Sequence, residues 1–249
     1  MKDMQLAVLI LTYNEEENIK DCLQSASFAD EIIVVDSYST DGTLKVAEKF
    51  DVTIIQHEME NFAAQRNFAM EQTEAEWIFF LDADERVTPE AAEEITKIVK
   101  ENKRAAWRIK RMNILFGKQM RFGGHRPDYV TRLFPRRAVR WDGLVHERVI
   151  CDLSVKRLHG ALYHYTYTDW YRYFAKMNQY STLMAKRQYG EGKRSSILKI
   201  VLHPFFAFFR FYILQLGFLE GKFGFIFASF HMFYTMAKYV KLYYFEEEI

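Results

Sequence analysis

Four short apolar runs, each separated from the next by room for one helix, restrict this chain to a narrow set of folds. The runs are Leu6–Thr12, Ile32–Val35, Val52–Gln56 and Trp77–Leu81. The first reads LAVLILT, continuous rather than alternating, as in a strand covered on both faces. Asn14 is placed to cap a following helix, with Glu15, Glu16 and Glu17 in its first turn, where acids suit the helix dipole. A turn at Ser39-Thr40-Asp41-Gly42-Thr43 feeds a helix over Leu44–Phe50, and another is expected over Phe62–Thr73. Thr88-Pro89-Glu90 opens a further helix running to about Asn102, with proline near its first turn. Strands separated by short helices predict an α/β fold: a mostly parallel sheet with right-handed crossovers and flanking helices. Ligands of such sheets bind outside the carboxyl ends of the strands. Here those ends carry Asp36 and the cluster Asp82-Ala83-Asp84-Glu85.

Charge divides the chain in a similar way. Residues 1–100 carry 22 acids and 8 bases, residues 101–169 carry 6 and 15, and residues 170–245 carry 2 and 11, so the net charge of +1 conceals two regions of opposite sign. Residues 105–165 are rich in Arg and punctuated by Gly117, Gly123-Gly124 and Gly143, with strands expected at Ala106–Ile109, Val130–Phe134 and Leu158–Tyr165. They read as the second half of the same domain, where an acceptor site is built. Apolar residues at 49% and charged residues at 27% exclude disorder, collagen and a polytopic membrane protein. Two cysteines, Cys22 and Cys151, make neither a disulfide framework nor a zinc site by themselves, so a reducing cytosol is expected. The apolar run Leu6–Leu11 is too short for the core of a signal peptide, and no small-residue cleavage site follows.

Four constellations carry chemistry. Asp82-Ala83-Asp84 places two carboxylates at i, i+2 on a strand end, able to chelate a hard divalent cation such as Mg²⁺ or Mn²⁺. Such a cation neutralises a diphosphate and supports its departure; an acidic strand end by chance is the plainer reading. Asp36, in Val34-Val35-Asp36-Ser37-Tyr38-Ser39-Thr40-Asp41-Gly42-Thr43, is placed to accept hydrogen bonds from a nucleobase or ribose, whereas Asp41 reads as a helix cap. Thr12, Tyr13, Asn14 and Glu15 end the first strand, where backbone groups can frame a base and Tyr13 can stack on it. Arg66, in Ala64-Gln65-Arg66-Asn67, is placed to pair with a phosphate, although an exposed helical Arg ordinarily has no special role.

In this order, the four resemble the family 2 inverting glycosyltransferases of the GT-A fold, over residues 5–150. The family pattern runs from a Tyr-Asn-Glu strand end through V-D-D-G-S-T-D-G-T and an A-R-N helix to D-x-D. Here Ser37-Tyr38 stands in place of Asp-Gly, and Gln65 in place of Ala. The resemblance implies that Asp82 contacts the donor ribose and Asp84 the metal. Arg132-Leu133-Phe134 and Trp141-Asp142-Gly143-Leu144-Val145-His146-Glu147-Arg148 resemble the branch that contains lipopolysaccharide core glucosyltransferases. That branch implies UDP-glucose as donor and a lipid-linked core oligosaccharide as acceptor. Inverting transfer needs a base for the acceptor hydroxyl: Glu147 is the candidate and His146 the rival, while a surface ion pair with Arg148 is the plain alternative for Glu147. His159 and His164 read as structural, with His159 the one considered for an approach to the metal.

The implied organisation is a GT-A domain over residues 1–168, with a nucleotide-sugar half (1–104) and an acceptor half (105–168), then a helical extension over 169–249. Thirteen Phe or Tyr fall between Phe205 and Tyr234, and the longest stretch there without a charged side chain is Phe223–Ala237, fifteen residues. That is short of the ~20 residues a spanning helix needs. With Lys186, Arg187, Lys193, Arg194, Lys199 and Arg210 beside it, the extension reads as docking on the inner leaflet, an enzyme peripheral to the inner membrane; a homodimer interface is the alternative. Competing functions are transfer to another glycan or a polyprenyl-linked sugar, and a non-catalytic nucleotide-binding scaffold. The acidic first half and the lack of any recognisable motif argue against nucleic acid.

Overall fold

The computed structural model describes residues 5–143 and 148–245. Its strands are β1 (Leu6–Thr12), β2 (Glu31–Asp36), β3 (Thr53–Gln56), β4 (Trp77–Asp82), β5 (Glu85–Val87), β6 (Ala106–Leu115), β7 (Lys118–Gln119), β8 (Asp128–Pro135), β9 (Arg140–Asp142), β10 (Arg148–Ile150) and β11 (Val155–Tyr167). The helices are α1 (Ile19–Ser25), α2 (Thr43–Ala47), α3 (Phe62–Glu71), α4 (Pro89–Lys100), α5 (Trp170–Gly190), α6 (Ile197–Phe209) and α7 (Lys222–Tyr244). The chain forms two compact units: Met1–Met112 with Asp128–Tyr165, and Asn113–Pro127 with Thr166–Ile249. The second unit therefore draws residues 113–127 out of the middle of the chain, from within the stretch that the sequence groups with the first domain.

In the first unit β3, β2, β1 and β4 lie in that order and run parallel. β8 then pairs antiparallel with β4, β6 antiparallel with β8, and β11 antiparallel with β5. All seven residues of β1 are buried. Their side chains alternate: Leu6, Val8 and Ile10 join one apolar cluster, Ala7, Leu9 and Leu11 the other. A strand's period of two explains the split, and cover on both faces explains the uninterrupted apolar run. Each Leu or Ile so buried contributes roughly 1.5–3 kcal/mol.

Two helix starts behave differently. Thr88 caps α4, its hydroxyl accepting from the Ala91 amide at 3.3 Å, with Pro89 as the first helical residue. Asn14 does not cap α1, which begins at Ile19 behind Asn18. Asn14 instead adopts a left-handed φ of +54°, and its side-chain oxygen accepts from the Thr40 amide at 2.8 Å. The side-chain bond across to the β2 loop replaces the local cap. β6, β8 and β11 are all longer than their apolar runs, because antiparallel strands tolerate one half-buried face where charged residues such as Arg108 and Lys110 sit.

The second unit is built from α5, α6, a π-helical turn over Arg210–Leu214, a 3₁₀ turn over Gly217–Glu220, and α7. Its core joins Leu115 and Met120 to Tyr173, Phe211 and Phe227. The Phe211 ring rests on Gly123 and Gly124, where a Cβ on either would come within 2.6 Å of it. Glu220, an interruption in the apolar sequence, accepts from the Arg121 and Phe122 amides at 2.6 and 2.9 Å and pairs with Lys118 at 2.8 Å. One expectation needs correction. Ile197–Leu214 forms an 18-residue helical segment of mean hydropathy 1.7, long and apolar enough to cross a membrane by length and composition, and only 17% of it is buried. Lys199 and Arg210 interrupt it, so no stretch free of charged side chains spans it.

Candidate active site

The turn Asp82–Glu85 at the carboxyl end of β4 is held by arginines. Asp82 accepts from Arg66 Nη2 at 3.1 Å and from both terminal nitrogens of Arg132, the closer at Nη2 and the other at 3.3 Å. Arg132 Nη2 also reaches Glu85 Oε1 at 2.9 Å, and the Asp82 amide donates to Glu85 Oε2 at 3.0 Å. Arg86 donates to the carbonyls of Ala83 and Glu85 at 3.0 and 2.9 Å. Burial opposes the Asp82 charge, yet the guanidinium groups of Arg132 and Arg66 outweigh it and hold this carboxyl far below the usual carboxylate range. Glu85 is fully buried, and burial pushes its carboxyl up despite the charge of Arg132.

Arg66 is no exposed helical cation. It is 4% exposed and lies over the rings of Phe80 and Trp141 at 5.0 and 4.7 Å. Its neighbour Asn67 exchanges two 2.9 Å hydrogen bonds with the backbone of Trp141, tying α3 to β9. Arg66, Asp82, Arg111, Arg132 and Trp141 line one cavity of about 440 Å³. Arg111, which sequence reasoning did not single out, pairs with Asp128 at 2.8 Å and approaches Glu85 at 3.5 Å. Its only sequence signal was the Arg-rich character of residues 105–165.

Asp84 stands apart from that clamp. Its Oδ2 lies 3.2 Å from His164 Nε2, with 26% of the Asp84 side chain and 14% of the His164 side chain exposed. His159, the histidine considered for the metal, bonds Glu94 at 2.9 Å and is 96% exposed. Among the described residues no three His, Cys, Asp or Glu side chains cluster as a metal site. The Asp84 carboxylate is a ligand that suits Mg²⁺ or Mn²⁺, while the His164 imidazole, a borderline nitrogen ligand, fits Mn²⁺ better than Mg²⁺, with the remaining positions left to ligand oxygens. Asp82 fits a cation less well, since both its oxygens are engaged by guanidinium groups.

The ends of β1 and β2 interlock. Thr12 is buried, and its hydroxyl makes no hydrogen bond among the described residues. Tyr13 is 56% exposed and Tyr38 54%. The Asn14 amide donates to Ser39 Oγ at 2.8 Å, and the Glu15 amide to Thr43 Oγ1 at 2.8 Å. The Glu15 carboxylate accepts from Asn18 at 2.8 Å. Asp36 is fully buried, accepting from the Ser39 amide at 2.9 Å and from Gln56 at 3.3 Å, so it shapes its own loop. Tyr38 has φ +59° where the family pattern carries glycine, a conformation unusual for a bulky residue. The other two departures from that pattern meet: Gln65 Nε2 donates to Ser37 Oγ at 3.1 Å, and Gln65 Oε1 contacts His57 Nδ1 at 2.7 Å. Glu147 and His146, the candidate bases, lie outside the described residues.

The assembled elements bring Arg66, Arg111 and Arg132 to one cavity with Asp82, and Asp84, paired with His164, lies two residues further along the chain. The family model described as Glycosyl transferase family 2 matches residues 7–148. The chain is 30% identical to the lipopolysaccharide core biosynthesis glycosyltransferase LpsC of Rhizobium meliloti (strain 1021), over 94% of this chain and 92% of that protein. It is 28% identical to an uncharacterized glycosyltransferase of Rickettsia bellii, over 96% and 85% of the two chains. The crystal structure of S. aureus TarS aligns at 18% identity with a TM-score of 0.48, covering 98% of this chain and 55% of that one.

Proposed function

The chain belongs to glycosyl transferase family 2, and from that premise we propose that it moves glucose from UDP-glucose, with inversion, to a lipopolysaccharide inner-core acceptor. The observation that carries the reading is the split at the end of β4, with Asp82 clamped by arginines and Asp84 paired with His164. The acceptor class is supported by the named relative LpsC. The choice of glucose rests on the likeness of Arg132–Phe134 and Trp141–Arg148 to core glucosyltransferases.

In this proposal Thr12, Tyr13, Asn14 and Glu15 frame the nucleobase, with the exposed Tyr13 ring stacking on it. Asp36 braces the loop that carries Tyr38, and Asp82, held by Arg132, meets the ribose. Arg66 offsets diphosphate charge from the cavity wall. Asp84 and His164 would hold Mg²⁺ or Mn²⁺, which supplies charge neutralisation to the leaving diphosphate when bound. The acceptor oxygen attacks the anomeric carbon, the bond to the diphosphate oxygen breaks, and the hydroxyl proton passes to the Glu147 carboxylate, with His146 the rival base. Replacing Glu147 by Gln should cost ~10²–10⁴-fold in turnover with donor binding kept.

The second unit supports work at a membrane surface. Ile197, Leu198, Val201, Leu202, Phe205 and Phe206 are all 48–67% exposed and recur every four residues along one face of α6. The opposite face is packed through Pro204 and Ala207. A one-sided apolar stripe with Lys193, Arg194 and Lys199 at its start suits a helix lying in the headgroup plane of the inner leaflet.

The deciding experiment is transfer from a panel of nucleotide sugars to lipopolysaccharide core, using wild type and Asp84→Asn with and without chelator. Product from UDP-glucose alone, lost on chelation, restored by Mg²⁺ or Mn²⁺ and reduced ~10²–10³-fold in Asp84→Asn, supports the proposal. Preference for another donor removes glucose; activity that survives both chelation and substitution removes the metal role of Asp84.

A further inference from the structure

The second unit holds a cavity of about 400 Å³ that the donor site does not use. Tyr173 and Phe227 are buried in its lining at 8% and 1% exposure, with His125, His231 and Tyr234 completing the walls. Lys176 and Tyr180 stand at the exposed rim, with Lys176 Nζ 5.4 Å over the Tyr167 ring. The Tyr173 hydroxyl and both imidazoles make no hydrogen bond among the described residues. Burial lowers the basicity of His125 and His231, so both are neutral at physiological pH and each offers one donor and one acceptor nitrogen.

That chemistry selects among occupants. An acyl chain would leave the hydroxyl and both imidazoles facing hydrocarbon without partners, a penalised arrangement. An organic cation would suit the rings, but among the described residues no carboxylate lines the cavity, and Lys176 repels a cation. A pyranose offers C–H faces to the aromatic rings and hydroxyls to the neutral polar atoms. We infer that this cavity is a subsite for one sugar residue of the glycan acceptor, with Lys176 placed for an anionic substituent on it. The inference rests on the glycosyltransferase reading and adds a substrate-holding site in the C-terminal unit.

The test uses the full chain and core oligosaccharide freed of its acyl chains, with and without its phosphates, in the absence of any donor. Binding is measured by calorimetry and by the fluorescence of Trp170, whose ring lies 5.7 Å from that of Phe230 in this lining. Tyr180→Ala, at a half-exposed rim position that leaves the core intact, and His231→Leu should each weaken the oligosaccharide at least 10-fold while UDP affinity stays unchanged. Lys176→Gln should weaken only the phosphorylated form. Equal oligosaccharide affinity in wild type, Tyr180→Ala and His231→Leu overturns the inference, as does capture of decanoate by a wild type that ignores the oligosaccharide. Failure of the transferase reading would appear separately, as a wild type that binds oligosaccharide but neither binds UDP nor uses any donor.

Discussion

The two units solve the same problem, covering apolar surface while keeping polar groups satisfied, in opposite ways. In the first, β1 and β4 are covered on both faces, and the charges that remain inside are matched: Arg132 with Asp82 and Glu85, Arg66 with Asp82. In the second, Phe205 and Phe206 stay 60% and 59% exposed, while the polar atoms around Tyr173, His125 and His231 face a cavity. A region with its interior closed can preorganise charge for chemistry. A region with apolar surface left over and polar atoms unspent has room to meet something else, and the proposals above make these a lipid surface and a glycan.

The contrast breaks first at Arg132. Replacing it by Met leaves Asp82 with Arg66 alone and the fully buried Glu85 with only Arg111, at 3.5 Å, and the expected loss is about 3–5 kcal/mol in denaturant unfolding of the first unit. Arg132→Met combined with Glu85→Gln should recover much of that stability, because the buried Glu85 charge leaves with its cation while Asp82 keeps Arg66. If the single and double variants are equally unstable, the arginine acts through packing instead of charge.

The second unit should be the acid-sensitive one. Burial, with the charge of His231 adding to it, lowers the His125 pKa to about 4. The unfolded chain, with a histidine pKa near 6.5, binds more protons between those values, so stability falls as pH drops from ~6.5 towards ~4 and levels off below. The full span is worth at most ~3 kcal/mol. Unfolding followed by Trp170 fluorescence at pH 7 and 4.5 measures it, and His125→Leu should flatten the slope.

Smaller effects are expected at the exposed apolar stripe of α6. Phe206→Ser should weaken binding to anionic vesicles by ~1–2 kcal/mol at any salt concentration, since the loss is apolar area. Lys199→Gln should cost ~1 kcal/mol at low salt and little at high salt, where screening shortens the reach of charge below ~8 Å. Flotation reads both. No flotation of wild type on anionic vesicles, together with a stable dimer in solution, would give the exposed stripe to a second copy of the chain.

Much of the donor half was legible because its signals are local. A strand buried on both faces must be apolar throughout, so LAVLILT and WIFFL announce themselves, and Asp82 and Asp84 are visible at the end of the second. The Asn14 cap misled because an asparagine before three glutamates carries the same signature whether its side chain caps the next turn or bonds across to Thr40. β5 went unseen because three residues, Glu85-Arg86-Val87, have no periodicity to read.

The amino-acid order by itself determined the parallel strands, the acidic strand ends, the basic second half and the aromatic tail, all of which depend on neighbours within a few residues. Tertiary structure alone decided which groups those carboxylates meet. His159 and His164 are five apart on β11, hence on opposite faces. Only the pairing of His164 with Glu85 across β5 turns His164 towards Asp84 and sends His159 to Glu94. A one-residue slip would exchange the faces. Likewise Arg132 reaches Asp82 because β8 pairs with β4, and Glu220 reaches the amides of Arg121 and Phe122 about a hundred residues away. Burial and periodicity are written along the chain, but the partner of a charge is fixed by register between segments distant in sequence.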